Sequence, residues 1–186
     1  MGSRWAAYHE QMPHDTVPVP PARTCQVVTV SDRCARGVAE DRSGPRLVEL
    51  LRAEGLQVSG PVVVPDGADS VAEALTAAIR DGADLVVTTG GTGAAPRDLT
   101  PEGTQRLVTR ELVGVAEYLR REGTRHTPLA VLSRGVVGVI DPDEGDADPV
   151  LVVNLPGSVG AVEQGVEALQ PLLGHLLEQL RGEGER

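Results

Sequence analysis

Apolar and polar positions change register in blocks from Thr24 onward. Cys25–Val30, Val58–Val64, Asp84–Thr88 and Val150–Asn154 are short runs, rich in valine and apolar almost throughout. Strands of a parallel sheet covered on both faces read this way. Between them lie stretches with helical spacing. Leu47, Val48, Leu50 and Leu51 form one apolar face, with Ser43 as the expected N-cap, Pro45 just inside and Gly55 past the end. Ser70 and Glu73 stand at capping-box spacing and predict a helix through Ile79, closed near Gly82. Thr100-Pro101 opens another helix, and helical pattern reaches about Arg121. Val162, Val166, Leu169, Leu173, Leu176, Leu177 and Leu180 predict a closing helix, capped by Ser158 and kinked at Pro171. Pro128–Leu132 and Val136–Ile140 read as two further short strands.

The alternation predicts an α/β fold, three-layer α/β/α, with a mostly parallel sheet and a short antiparallel hairpin. Residues 1–23 hold Pro13, Pro18, Pro20 and Pro21 without periodicity and read as a disordered tail. Residues 24–181 form a single expected domain and residues 182–186 a second tail. A chain of 186 residues suffices for one core.

Composition narrows the function. The formal net charge is −10, about half of it from five acids in 141–148. That balance argues against general nucleic-acid binding. The acidic run lacks EF-hand ligand spacing and reads as a solvated loop insertion. All 17 basic residues are arginine, which removes a Walker-type lysine and Schiff-base chemistry. Cys25 reads as a buried strand residue; with Cys34 it fits neither a zinc knuckle nor a redox pair. His9 and His14 lie in the predicted tail, and His126 and His175 stand alone. With no signal-like segment and no long apolar span, the expectation is a cytoplasmic protein without membrane contact.

The chemistry-bearing residues follow strands. Ser31-Asp32-Arg33 comes after the first, Pro65-Asp66-Gly67 after the second, and Thr89-Gly90-Gly91-Thr92-Gly93, continued to Asp98, after the third. Ser133-Arg134 follows the Pro128–Leu132 run, and Pro156-Gly157-Ser158 the last strand. In a parallel sheet these loops share one edge, where ligands bind. Glycines admit a ligand close to backbone N–H groups and form anion nests. The inventory of N–H groups, hydroxyls, carboxylates and arginine suits phosphate with a divalent cation. Each piece has a plainer reading: Ser31-Asp32 and Asp66-Gly67 as turns, Asp98 as a residue before a helix, Arg134 as a partner of the acidic run.

Taken together, Thr29-Val-Ser31-Asp32-Arg33, Pro65-Asp66, Thr89-Gly-Gly-Thr-Gly93, Pro96-Arg97-Asp98-Leu99-Thr100-Pro101-Glu102, Leu132-Ser133-Arg134 and Asn154-Leu-Pro-Gly-Ser158 resemble the MogA/MoaB family of molybdenum cofactor biosynthesis. The resemblance spans residues 24–180, and the glycine turn joined to Pro-Arg-Asp-Leu-Thr-Pro-Glu is its most specific part. It implies a homotrimeric molybdopterin adenylyltransferase, using ATP and magnesium to form adenylyl-molybdopterin and pyrophosphate. Other molybdenum cofactor biosynthesis proteins are implied as partners. The family's acidic pair falls on Asp66 and Asp98, as catalytic and metal-holding residues. Its substrate-binding segments fall on Ser31, Asp32, Thr89, Gly90, Gly91, Thr92, Gly93, Ser133, Arg134, Pro156, Gly157 and Ser158.

The chain departs from the family pattern at Val113-Gly114-Val115, where Pro-Gly-Phe is common, and at Val159-Gly160, where Pro-Lys is common. A second reading is therefore a molybdopterin-binding or complex-forming paralogue without turnover. A nicotinamide enzyme ranks lower, because Gly90-Gly-Thr-Gly93 is not G-x-G-x-x-G and follows the third strand.

Overall fold

The valine-rich runs pair as expected. The computed structural model describes residues 17–142 and 148–182. Its six strands are β1 (Thr24–Val30), β2 (Gln57–Val64), β3 (Leu85–Thr89), β4 (Arg110–Glu111), β5 (Val137–Ile140) and β6 (Val150–Leu155), in the sheet order β2-β1-β3-β6-β5-β4. The first four of that order are parallel, and β5 runs antiparallel to both β6 and β4. The helices are α1 (Asp32–Ala35), α2 (Ser43–Ala53), α3 (Ala68–Arg80), α4 (Thr100–Gln105), α5 (Val113–Gly123) and α6 (Val159–Leu180).

Side chains alternate between two cores. Val27 joins Leu47 and Leu51 of α2 and Leu169 and Leu173 of α6. Val28, next in the strand, joins Val71 and Leu75 of α3 on the opposite face. Strands buried on both sides need no polar face, which is why β3 and β6 carry valine at consecutive positions. Each fully buried Leu or Val contributes about 1.5–3 kcal/mol relative to exposure, and Leu85, Val86, Val87, Leu151, Val152 and Val153 are all at 0% exposure. α6 continues through Pro171 as one helix.

Three local expectations are corrected. Pro128–Leu132 is a 3₁₀ helix, not a strand: Thr127 caps it by accepting from the Leu129 N–H, and Pro128 sits in its first turn. Both sides of β5 are already taken, by β6 and by the two-residue β4. Ser43 lies inside α2, and the Gly44 N–H is capped instead by Asp41 Oδ1 at 2.9 Å. α3 starts at Ala68, so Ser70 is already helical and donates to the Pro65 and Gly67 carbonyls.

Part of the predicted N-terminal tail packs on the domain. Val19 lies against the α2 and α6 core. A Cβ on Gly174 of α6 would meet the Val17 carbonyl oxygen at 1.9 Å. Arg23 is 4% exposed and pairs with Asp84 at 3.6 Å. Residues 1–16, with His9 and His14, fall outside the described residues, as do 143–147 and 183–186. The ends of the acidic run are held: Asp141 pairs with Arg110, and Asp148 with Arg181 at 2.9 Å. Among the described residues no helix is long and apolar enough to cross a membrane.

Candidate active site

Four parallel strands end at the same edge of the sheet, and the loops that follow them enclose a cavity of about 720 Å³. β1 delivers Ser31, β2 Asp66, β3 the turn Thr89–Gly93, and β6 Pro156, Gly157 and Ser158. Asp98 arrives from the loop between β3 and α4, and Ser133 from the end of the 3₁₀ helix. Of the sequence-predicted residues, all but Asp32 and Arg134 line this one space.

The glycine turn has a steric cause. Gly90 has φ +103°, and a Cβ there would lie 2.3 Å from the Val30 carbonyl oxygen. Gly91 has φ +62°, and its Cβ would lie 2.3 Å from Thr100 Oγ1. Both are conformations that cost an L residue strain. The turn is fixed from three sides. The Gly90 N–H donates to the Leu155 carbonyl at 3.0 Å, Thr89 Oγ1 to the Pro156 carbonyl at 3.0 Å, and Thr100 Oγ1 to the Gly90 carbonyl at 2.9 Å. Gly90 therefore spends its N–H inside the protein. The N–H groups of Gly91, Thr92 and Gly93 have no partner among the described residues.

Both carboxylates stand against this turn. Asp66 Oδ2 accepts the Asp32 N–H at 2.9 Å, and Asp66 Oδ1 lies 3.4 Å from where a Gly91 Cβ would be. Asp98 Oδ2 accepts the Ala95 N–H at 3.1 Å and lies 2.6 Å from the position of a Gly93 Cβ. Each keeps Oδ1 without a protein partner among the described residues. Among those residues no three His, Cys, Asp or Glu side chains cluster as a metal cage. Two carboxylates against one glycine turn still fit the donor set of magnesium, which keeps waters and takes one or two carboxylates plus substrate oxygens.

Asp32 acts only through its backbone; its side chain turns out to Arg36 at 3.7 Å. Arg134 also points elsewhere. Its guanidinium pairs with Glu102 and donates to the Gly93 carbonyl at 2.8 Å, not to the acidic run. The hydrogen bond from Arg134 holds the half-buried Glu102 carboxyl below its usual range.

Ser31 and Ser158 each accept one N–H as helix caps, from Cys34 at 3.3 Å and Ala161 at 3.2 Å. Their hydroxyl protons remain to donate. Ser158 places the N-terminus of the long helix α6 at the cavity, where its dipole favours an anion.

The cavity has residues that sequence spacing did not mark. Asp41 accepts from Thr29 Oγ1 at 2.7 Å and from the Gly44 N–H, which closes the loop before α2 over the site. Arg42, Arg120 and Gln164 also line it, together with Arg97, which the sequence motif already offered as a partner for the leaving pyrophosphate. Arg120 and Gln164 lie within helices, where a single polar residue gives no pattern; Arg97 stood beside Asp98 in the motif already read.

The family model described as a probable molybdopterin binding domain matches residues 26–175. The chain belongs to this family. Within it, the chain is 42% identical over 156 residues to the molybdopterin adenylyltransferase of Pyrococcus furiosus, covering 83% of this chain and 89% of that protein. It is 40% identical over 156 residues to the molybdenum cofactor biosynthesis bifunctional protein of Synechococcus elongatus, covering 84% of this chain. The chain spans about half, 47%, of that bifunctional relative. Among solved structures, MoaB of Pyrococcus furiosus, a tungsten cofactor synthesizing protein, superposes with a TM-score of 0.79 at 38% identity, over 88% of this chain and 99% of that one. A molybdopterin biosynthesis protein from Mycobacterium abscessus gives 0.79 at 43% identity, over 87% and 98%. The MogA/MoaB-like α/β architecture follows from both.

Proposed function

We propose that this chain is a molybdopterin adenylyltransferase, moving the adenylyl group of ATP onto molybdopterin. One observation carries the reading: Asp66 and Asp98 stand against Gly91 and Gly93 of one turn, whose own N–H groups at Gly91, Thr92 and Gly93 have no partner among the described residues, in a cavity that Arg42, Arg97 and Arg120 also line.

In the reaction, the terminal phosphate oxygen of molybdopterin attacks the α-phosphorus of ATP in line. A new P–O bond forms as the bond from the α-phosphorus to the bridging oxygen breaks, and pyrophosphate leaves with that electron pair. The residues supply position and charge. N–H groups of Gly91, Thr92 and Gly93 hold a phosphate, and the α6 N-terminus with Ser158 holds a second anionic group. Ser31 and Ser133 donate hydroxyl protons at the walls. Asp66 and Asp98 orient the reacting groups and are the side chains that would hold magnesium. Magnesium, when bound, screens the charge on the transferring phosphoryl oxygens. Arg97 faces the same space and offsets charge on the leaving pyrophosphate.

The reading includes a homotrimer. Leu129, Val131 and Leu132 of the 3₁₀ helix are more than half exposed, which suits burial against another copy. The test is pyrophosphate release from the full chain with molybdopterin, ATP and magnesium, with mass measured in solution. Tight molybdopterin binding without pyrophosphate is the outcome the non-catalytic paralogue predicts.

A further inference from the structure

Asp98 sits at the end of a loop that does little to hold itself. Ala94–Arg97 are exposed. Within the loop the hydrogen bonds are local: Asp98 N–H to the Ala95 carbonyl at 2.9 Å, Leu99 N–H to the Arg97 carbonyl at 2.9 Å, and Ala95 N–H to the Asp98 carboxylate at 3.1 Å. Such bonds shape a turn and do not fix where the turn lies on the protein.

That anchor comes from Arg134. Its backbone N–H donates to the Thr92 carbonyl at 2.8 Å, and Nε to the Gly93 carbonyl at 2.8 Å. Nη2 donates to the Asp98 carbonyl. Nη1 and Nη2 both reach Glu102, in the first turn of α4. One side chain thus grips both ends of the Gly93–Asp98 loop, and a carboxylate beyond the loop holds that side chain in place. The rigid fork of guanidinium is what allows three different acceptors to be met at once; an ammonium group on a flexible stem does not reproduce it. An exposed ion pair adds little to global stability, and this one is 40% and 41% exposed. Its arrangement suits setting a loop more than holding a fold.

We propose that Arg134 is a positioning residue: with Glu102 as its anchor, it clamps the Gly93–Asp98 loop and so sets the Asp98 carboxylate against the glycine turn. It acts through Asp98 and does not touch substrate. The inference rests on the adenylyl-transfer reading for its effect on rate, and on the geometry alone for its effect on the loop.

The experiment is a double-mutant cycle on the full chain, with Arg134→Met, Glu102→Gln, their combination and Arg134→Lys. Arg134→Met lowers kcat roughly 30-fold or more, while KM for ATP and for molybdopterin moves less than about threefold. The double variant is no worse than Arg134→Met, since both changes break one device. Arg134→Lys restores little. In ligand-free protein, hydrogen exchange at the Ala95 and Asp98 amides speeds up in Arg134→Met and in Glu102→Gln, while Val152 and Val153 stay protected. A tenfold rise in KM at unchanged kcat overturns the proposal, because it makes Arg134 a substrate ligand. Unchanged exchange at Ala95 and Asp98 overturns it as well. Should Arg134→Met fail to fold, Glu102→Gln carries the same readouts. An inactive wild-type protein defeats the adenylyl-transfer reading, and the exchange data still decide the clamp.

Discussion

Asp66 Oδ2 accepts the backbone N–H of Asp32 at 2.9 Å, which ties the loop after β2 to the loop after β1 across neighbouring parallel strands. One carboxylate oxygen is structural, and the other has no protein partner among the described residues although Asp66 lines the cavity. Asp66→Asn keeps an acceptor for the Asp32 N–H and removes the charge, whereas Asp66→Ala removes both. We expect Asn to lower turnover by about 10² or more with melting temperature nearly unchanged, and Ala to lower both. Parallel kinetics and thermal melts check this; equal stability losses in the two variants contradict the tie.

Gly93 is small because Asp98 needs the room. A Cβ there lies 2.6 Å from Asp98 Oδ2, while Gly114 of α5 has nothing within 4 Å of its Cβ position. Gly93→Ala should displace the carboxylate and cost turnover about 10²-fold, the scale of a displacement near 1 Å at a reacting group. Gly114→Ala should leave turnover unchanged. Steady-state kinetics on both variants decide it.

Asn154 is the polar knot beneath the site. At 3% exposure it donates to Thr88 Oγ1 and Thr104 Oγ1, each at 3.0 Å, and accepts the Val136 N–H at 3.1 Å. It joins β3, α4 and the start of β5. Asn154→Ala strands buried polar groups and should cost about 2–3 kcal/mol or more. Urea unfolding measures this directly.

Asp84 gives the acid limb of stability. Burial raises its pKa, but hydrogen bonds from the Thr24 N–H and hydroxyl and from Arg181 outweigh that and leave it lowered. A lowered folded-state pKa contributes stability that is present above the ordinary aspartate value and lost as pH falls below it. Asp84→Asn should therefore be less stable than wild type at neutral pH, with the gap narrowing as pH falls through and below the ordinary aspartate value. Unfolding free energies across that range check the sign.

The sequence was most readable where physics is local or repetitive. Val86-Val87 and Val152-Val153 announce strands covered on both faces, Ser158 announces α6, and Gly90-Gly91 announces a turn whose positive φ values and close neighbours favour glycine. The misreadings came from neighbours distant in sequence. Asp41 caps α2 only because Thr29 holds its other oxygen. Pro128–Leu132 has strand-like composition, but a Thr-Pro start and a filled sheet make it 3₁₀. That Arg134 stands outside the cavity lining and pairs with Glu102 could not be read from its own segment, because Glu102 lies across the loop. Val17–Arg23 looked like a tail because Gly174, which receives it, lies more than 150 residues away.

In the proposed reaction the cavity at the strand ends performs adenylyl transfer, with Asp98 on its lining. The most direct test is pyrophosphate release by wild type and Asp98→Asn, with molybdopterin, ATP and magnesium at saturation. We expect steady release by wild type and a loss of about 10² or more in Asp98→Asn at equal melting temperature. Equal release by the two proteins contradicts it.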